Sequence, residues 1–305
     1  MTVVAISEKQ KERQMKTGKA VIAPTNGEFQ PSPTPPGRKS KLSGYFKYCG
    51  LIGAILATGL YFSSGSRAVA QSSESRGVRN VILVHGAWAD GSSWSKVIPL
   101  LEAKGLKVTA VQLPLTSLAD DVATLKRAFA LEDGPFLLVG HSYGGSVITE
   151  AGNDPKVAGL VYVAAFAPDA GVSTLDQIKA NPTPLGMELR PDPSGNFIKL
   201  SGKGVFEDLA PDLPEAERKV LFAAQGPTAG AAFGTPISAP AWRNKPTWFV
   251  IASEDRVISP KLEEAEAQEM KAKSITISSS HVVLLSHPGE VAGFIEGAAH
   301  ESGAN

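Results

Sequence analysis

Short apolar runs alternate with amphipathic stretches along most of the chain from residue 80 onwards. Each run is bounded by Gly or polar residues, which predicts a strand, and the stretches between them place apolar residues three or four apart, which predicts helices. The predicted strands cover 80–86, 107–113, 136–140, 157–165, 247–252 and 274–279, and the predicted helices cover 93–104, 118–131, 146–152, 260–272 and 291–300. This alternation predicts an α/β fold with a mostly parallel six-stranded sheet and helices on both faces.

The third predicted strand runs directly into Gly140-His141-Ser142-Tyr143-Gly144, and a helix-compatible stretch follows. Gly-x-Ser-x-Gly between a strand and a helix predicts a nucleophile elbow, a tight turn that presents the serine hydroxyl above the sheet. Glycine is expected at 140 and 144 because a side chain there would collide with a neighbouring strand or helix. Ser142 is therefore the predicted nucleophile. The alternative is an ordinary Gly-rich strand-to-helix turn of a parallel α/β protein.

A serine nucleophile needs a base, and in sheets of this kind the base comes last, in the chain order Ser, Asp or Glu, His. His281 directly follows the last predicted strand, and sites of parallel sheets form where strands end. His281 is therefore the predicted base. The remaining histidines are at 85, 141, 287 and 300, and we expect them to pack, hydrogen-bond or face solvent.

The acid that orients the base is expected on the loop after the fifth strand, where Glu254 and Asp255 both qualify by position. Either could instead be a solvated charge at the start of the next helix. Asp169, after the fourth strand, is a further alternative.

An oxyanion hole needs two backbone N–H groups. One is expected from Tyr143, which follows the nucleophile, and the other from Ala87 in the loop after the first strand. Trp88 and His85 of the same loop are predicted to lie at the substrate pocket, although a packing role explains either of them as well.

The alternation of strands and helices is interrupted between about residues 167 and 243. This stretch is predicted to form a cap over Ser142, because so long a departure inside a compact domain is usually functional. Its predicted elements are helices over 173–179 and 214–224 and a hairpin over 196–205. Its candidate pocket residues are apolar, namely Leu175, Ile178, Met187, Phe197, Phe206, Leu221, Phe222, Phe233 and Trp242.

The first 70 residues differ in composition from the rest. Residues 1–47 are Pro-rich and carry nine Lys and Arg against three Glu, which predicts a disordered basic region. The uncharged stretch 48–62 and the ending Ala68-Val69-Ala70 predict a signal peptide cleaved after Ala70, and an uncleaved membrane anchor is the alternative. The protein is accordingly expected to be exported, either periplasmic or secreted, or else anchored to the membrane.

The remaining residues, 71–305, suffice for one domain and carry a net charge of −7, which argues against a nucleic-acid partner. Cys49, the single cysteine, lies outside this domain, so disulfides and thiolate metal sites are not expected in it. No histidine pair has metal-ligand spacing. The sequence thus predicts neither a metal nor another cofactor, and it makes no prediction about oligomeric state.

These motifs together resemble the α/β-hydrolase superfamily, and among its members the small plant methylesterases and hydroxynitrile lyases and their bacterial relatives. The matching segments are Val-His-Gly-Ala-Trp at 84–88, Val-Gly-His-Ser-Tyr-Gly-Gly at 139–145, Ala-Ala-Phe-Ala-Pro-Asp at 164–169, Ser-Glu-Asp-Arg-Val-Ile at 253–258 and Ser-His-Val-Val-Leu-Leu at 280–285. The resemblance implies a Ser142–His281–Asp255 triad without a cofactor. The lyases have Lys and Thr where this chain has Val282 and Ala87, so the chain departs from them towards the esterases.

The sequence as a whole predicts an exported serine hydrolase that cleaves the carboxylic ester bond of a small molecule through an acyl-enzyme. Two alternatives stay open. One is hydrolysis of a carbon–carbon bond or an amide by the same triad, and the other is a non-catalytic binding protein on the same fold.

Overall fold

The computed structural model describes residues 77–303, and within them six parallel strands form the central sheet. Its strands are β1 (Asn80–Val84), β2 (Lys107–Ala110), β3 (Phe136–Ser142), β4 (Val157–Ala165), β8 (Thr247–Ala252) and β9 (Lys273–Ile277). They lie in the order β2-β1-β3-β4-β8-β9. The flanking helices are α1 (Ile98–Ala103), α2 (Leu118–Leu131), α3 (Tyr143–Ala151), α7 (Pro260–Glu269), α8 (Val283–Ser286) and α9 (Pro288–Ser302). The predicted six-stranded sheet with flanking helices is confirmed.

Each face of the sheet packs on its own apolar core, because successive strand residues point to opposite faces. Ile82 and Leu138 belong to one core, whereas Leu83 and Val139 belong to the other. The apolar stripe of α2, at 118, 122, 125 and 129, is buried in the first core. Helix α9 buries its apolar side in the second. With helices on both faces, the catalytic chemistry of such a sheet is confined to the edge where the strands end.

The insertion between β4 and β8 contains helices and a small second sheet. Its helices are α4 (Thr174–Ala180), α5 (Glu215–Ala224) and α6 (Gly230–Gly234), and its antiparallel strands are β5 (Leu189–Pro191), β6 (Phe197–Leu200) and β7 (Thr228–Ala229). The two predicted helices are present as α4 and α5. The predicted hairpin over 196–205 is wrong in position, because the turn comes earlier. Asp192 accepts hydrogen bonds from the amides of Asn196 and Phe197, and Gly195 has a φ of 73°, so the chain reverses before β6.

Two boundaries near the sheet differ from the prediction for identifiable reasons. The predicted helix over 93–104 divides into a 3-10 turn, Gly91–Trp94, and α1, which begins beside Pro99 because proline suits the first turn of a helix. The second strand stops at Ala110 rather than 113, since the amide of Leu113 donates to the ring of His85 instead of a strand.

The predictions for 1–47 and 48–70, including membrane attachment through 48–62, concern residues outside 77–303. Within 77–303 every helix is too short or too polar to be a candidate for crossing a membrane.

Candidate active site

Ser142 stands at the junction of β3 and α3 with φ of 55° and ψ of −126°, a strained backbone conformation for a residue with a side chain. The close approach of the flanking glycines makes this turn possible. A Cβ on Gly144 would lie 2.6 Å from the carbonyl oxygen of Val84, and a Cβ on Gly140 would lie 2.6 Å from that of Gly144. Both glycines are thus required for close packing, as predicted for a nucleophile elbow.

His281 and Asp255 form a buried pair. His281 Nδ1 donates to Asp255 Oδ2 at 2.6 Å, and the side chains are 2% and 0% exposed. The other oxygen of Asp255 accepts the backbone N–H groups of Val257 at 2.6 Å and Ile258 at 3.0 Å. The carboxylate is therefore fixed by its own loop, and it holds the imidazole with Nε2 free for chemistry.

The alternative acids lie elsewhere. Glu254 is exposed and accepts a hydrogen bond from Ser278 Oγ, and Asp169 forms an ion pair with Arg243. Of the three candidate carboxylates, Asp255 is the one that meets His281. The two late histidines also lie apart from the pair: His287 contacts Ser286, and His300 is exposed near Glu296.

The loop of His281 is anchored from two sides. Asp212 of the insertion accepts hydrogen bonds from Ser280 N at 3.0 Å and Ser280 Oγ at 2.5 Å. On the other side, His141 Nε2 donates to the carbonyl oxygen of His281 at 3.0 Å. Burial holds the pKa of His141 well below its usual range, so this histidine is a neutral donor.

The loop after β1 approaches the serine closely. A Cβ on Gly86 would lie 2.7 Å from the Cβ of Ser142, so only glycine permits this approach. Trp88 is held by its backbone N–H on Thr228 Oγ1 and by its indole N–H on the carbonyl oxygen of Ile198, each at 3.0 Å. The insertion therefore fixes the residue that follows Ala87, the predicted oxyanion residue.

Tyr143, the other predicted oxyanion residue, is anchored by its side chain. Its buried hydroxyl donates to Asp121 Oδ2 at 2.8 Å, and Asp121 Oδ1 accepts the backbone N–H of Leu115 at 2.8 Å. Burial raises the pKa of Asp121 to about 6, although the hydrogen bond from Tyr143 opposes the shift. At neutral pH Asp121 is thus a buried carboxylate that fixes the first turn of α3.

A cavity of about 350 Å³ opens above Ser142 and His281. Residues Ala87, Trp88 and His141 also line it, together with an apolar group formed by Leu200, Val205, Leu209, Val220, Leu221, Val282, Leu284 and Leu285. Lys96 of the main domain and Glu217 of α5 form an ion pair of 2.6 Å, and both residues line the cavity. The insertion thus supplies much of the cavity lining, as expected of a cap.

Several pocket predictions need correction. His85 does not line the cavity: Leu113 N–H donates to its Nε2 at 2.9 Å and its Nδ1 donates to the carbonyl of Gly86 at 2.8 Å, so the ring ties loops together. Trp88 does line it. Of the apolar cap residues predicted as lining, Leu221 is found there; Phe233 and Trp242 instead pack in the core of the main domain.

Sequence reasoning missed His141 as a lining residue. Its position beside the nucleophile was a signal, since the residues flanking an elbow serine stay at the sheet edge.

Within 77–303 no three His, Cys, Asp or Glu side chains are grouped so that they could hold a metal ion.

Comparison with known proteins gives a family and several relatives. The profile of the family described as "Alpha/beta hydrolase family" matches residues 81–294. The chain is similar to Methylesterase 8 of Arabidopsis thaliana, with 33% identity over 134 residues, which are 37% of this chain and 49% of that protein. It is also similar to the pyrethroid hydrolase of Sphingobium wenxiniae, with 36% identity over 109 residues, which are 32% of this chain and 39% of that protein.

The matched region thus spans about half the length of these curated relatives, or less. A crystal structure of a pyrethroid hydrolase from Sphingobium faniae matches with a TM-score of 0.65 and 24% identity, over 73% of this chain and 97% of that one. Identity at this level shows a common fold. Because the family profile covers most of the chain, and the parallel sheet and elbow have the expected form, the chain belongs to the alpha/beta hydrolase family.

Proposed function

We propose that the protein is a serine hydrolase that cleaves carboxylic esters of small or medium-sized apolar molecules. The observation that carries the proposal is the buried 2.6 Å hydrogen bond between His281 Nδ1 and Asp255 Oδ2. It lies beside a strained elbow serine that lines the same cavity as His281. A base oriented by a buried carboxylate next to a serine is the arrangement that activates a hydroxyl for acyl transfer.

In the proposed acylation step, Ser142 Oγ attacks the ester carbonyl carbon while its proton passes to His281 Nε2. The carbonyl oxygen takes up the negative charge, which the backbone N–H groups of Ala87 and Tyr143 stabilise. Asp255 stabilises the imidazolium through the hydrogen bond to Nδ1. Collapse of the tetrahedral intermediate breaks the carbon–oxygen bond of the leaving alcohol, which takes the proton from His281. The acyl group stays on Ser142.

In the proposed deacylation step, His281 removes a proton from a water molecule that attacks the acyl carbon. A second tetrahedral intermediate forms in the same oxyanion site and then collapses. The carboxylic acid leaves and the proton returns to Ser142 Oγ. No cofactor takes part, since the two side chains and water balance every proton.

The shape and lining of the cavity support an apolar substrate. Most of the cavity surface is apolar, and its volume of about 350 Å³ suits a molecule of modest size. The net charge of −7 on residues 71–305 weakly disfavours anionic substrates. Relatives named as a methylesterase and a pyrethroid hydrolase support hydrolysis of small molecules on this fold.

We propose that the protein is exported, because the basic region 1–47, the apolar stretch 48–62 and Ala68-Val69-Ala70 follow the order of a secretory signal. N-terminal sequencing of the protein outside the cytoplasm checks this. A mature chain beginning at Gln71 supports cleavage, whereas a chain that retains 48–62 indicates a membrane-anchored enzyme.

A panel of p-nitrophenyl esters with acyl chains from two to twelve carbons tests the proposed activity, with the Ser142→Ala variant as control. We expect kcat/KM to be highest for short or medium chains and to vanish in the variant. The p-nitroanilide with the preferred acyl group tests the amidase alternative. Faster cleavage of the anilide than of the ester, or full activity of the variant, would contradict the proposal.

A further inference from the structure

Helix α7 carries a carboxyl group, that of Glu263, which is completely buried although the same helix also carries the exposed charged residues Lys261, Glu264 and Glu269. No Lys, Arg or His of residues 77–303 forms an ion pair with it. An ionised carboxylate buried without a cation is very unfavourable, so such a group takes up a proton instead. Glu263 is therefore a neutral carboxylic acid within the fold.

The contacts of Glu263 place that proton on one oxygen. Glu263 Oε2 accepts the backbone N–H of Ala252, the last residue of β8, at 3.0 Å. Glu263 Oε1 is buried and receives no hydrogen bond from the described residues. Because Oε2 acts as an acceptor, the proton belongs on Oε1, where it needs an acceptor of its own.

Asp255 lies on the same turn, because its backbone N–H donates to the carbonyl oxygen of Ala252 at 3.2 Å while Glu263 binds the N–H of that residue. Burial, and next the negative charge of Asp255 together with hydrogen bonding to it, raise the pKa of Glu263 well above its usual range. Asp255 has room for a further donor, since a carboxylate offers about four lone-pair sites. Three of them are occupied, by His281 Nδ1 and by the amides of Val257 and Ile258.

We propose that Glu263 is a positioning residue for the active site, a neutral acid whose Oε1–H group donates a hydrogen bond to the carboxylate of Asp255. The inference rests on the proposed function of the Asp255–His281 pair and extends it by one residue. The donor fixes the carboxylate from behind. It also spreads the carboxylate charge, which tunes how strongly Asp255 holds a proton on the base.

Other charged groups around this pair do not supply the same contact. Glu266, one turn further along α7, also contributes to the raised pKa of Glu263. Its own Oε1 accepts hydrogen bonds from Ala167 N and Gln177 Nε2. Arg256, next to Asp255 in sequence, is turned to the cap, where its Nε donates to Asp208 at 2.8 Å.

The test compares Glu263→Gln with Glu263→Met and Glu263→Leu in the full-length protein. Glutamine keeps both contacts, because its amide oxygen can accept from Ala252 N–H and its NH₂ group can donate to Asp255. The apolar variants remove the donor at similar volume. The readouts are kcat and KM for p-nitrophenyl butyrate, the pH dependence of kcat/KM, and the rate of labelling by an uncharged fluorophosphonate.

We expect Glu263→Gln to keep kcat within about threefold of the unmodified protein. It should also leave the acidic limb of the kcat/KM pH profile, where activity rises with pH, at the same pH. The apolar variants are expected to lower kcat about 10- to 100-fold with little change in KM, because a hydrogen bond to a charged group is lost. Their acidic limb should move to higher pH, since the remaining carboxylate holds the imidazolium more strongly. Glu266→Gln is the matched control, a buried acid on the same helix, and should change neither kcat nor the limb.

The shift of the acidic limb of the kcat/KM pH profile decides whether the inference holds. If Glu263 were ionised, the Gln and apolar variants would both move the limb to lower pH, because both remove a negative charge. If it were merely structural, the apolar variants would lower stability without moving the limb. Either result with an active unmodified protein refutes the inference and leaves the proposed function intact. An unmodified protein that neither labels nor turns over ester refutes both.

Discussion

Asp255→Asn is the substitution whose effect the structure predicts most sharply. Asp255 Oδ1 accepts two backbone N–H groups, so an asparagine must place its carbonyl oxygen there and turn its NH₂ group towards His281. That group donates where the carboxylate accepted at 2.6 Å, so Nδ1 of the ring must become an acceptor and the proton must move to Nε2. The ring then presents N–H rather than a lone pair to Ser142.

A triad base held in the wrong tautomer costs on the order of 10⁴ in kcat. At 1.36 kcal/mol for each factor of ten, this equals about 5 kcal/mol of transition-state stabilisation. The geometry of the loop itself changes little, because the two amide contacts to position 255 are kept. We therefore expect the loss to fall on kcat, with KM for a p-nitrophenyl ester close to that of the unmodified protein.

The assay is steady-state hydrolysis of p-nitrophenyl butyrate, with Glu254→Gln as the control. Glu254 is the adjacent acid, it is exposed, and its contact is with Ser278 Oγ rather than with the base. Its substitution should leave kcat within about threefold, as expected for a surface change away from the site. If Asp255→Asn loses less than about tenfold, or if Glu254→Gln is the crippling change, the assignment of the orienting acid is wrong.

Two further predictions concern stability. Gly144→Ala should lower the free energy of unfolding by about 1–3 kcal/mol or more, because its Cβ would lie 2.6 Å from Val84 O. Gly293→Ala on α9, which has open space around it, is the control and should be neutral or stabilising. Equal denaturant midpoints for the two variants would refute the predicted difference. Burial raises the pKa of Glu266 to about 8, so the stability that its protonated form contributes is present below about pH 4.5 and is lost as the pH rises through 8. The melting temperature should therefore fall relative to that of Glu266→Gln between pH 5 and pH 9, and parallel curves for the two proteins would show that this carboxyl is not protonated in the fold.

The sheet and the elbow could be predicted because local sequence determines them. The strands β1, β3, β4 and β8 are buried on both faces and so appear as continuous apolar runs. The Gly-x-Ser-x-Gly turn has a steric requirement that is visible in five residues. The pairing of His281 with an acid after β8 follows from the order of strand ends in such a sheet. The choice of Asp255 over Glu254 rested on the family resemblance, because both residues qualify by position.

The cap and the surroundings of the site could not be predicted in the same way, because contacts distant in sequence determine them. The lining of the cavity depends on how the insertion packs, and large apolar residues such as Phe233 were used in the core instead. The ring of His85 forms hydrogen bonds with the carbonyl oxygen of Gly86 and the N–H of Leu113, and no local sequence pattern predicts the second contact. Glu263 lies in a charged helix that resembles a solvated one, and its burial beside Asp255 has no signal in the sequence.

Trapping the covalent intermediate tests the central claim most directly. The purified protein is mixed with excess p-nitrophenyl acetate, quenched in acid during turnover, digested and analysed by mass spectrometry. We expect an acetyl group on Ser142 in the quenched sample, more of it when deacylation is slowed, and none in Ser142→Ala. Continued ester turnover with no acyl group on Ser142, or an acyl group on another residue that persists in Ser142→Ala, would contradict the proposed mechanism.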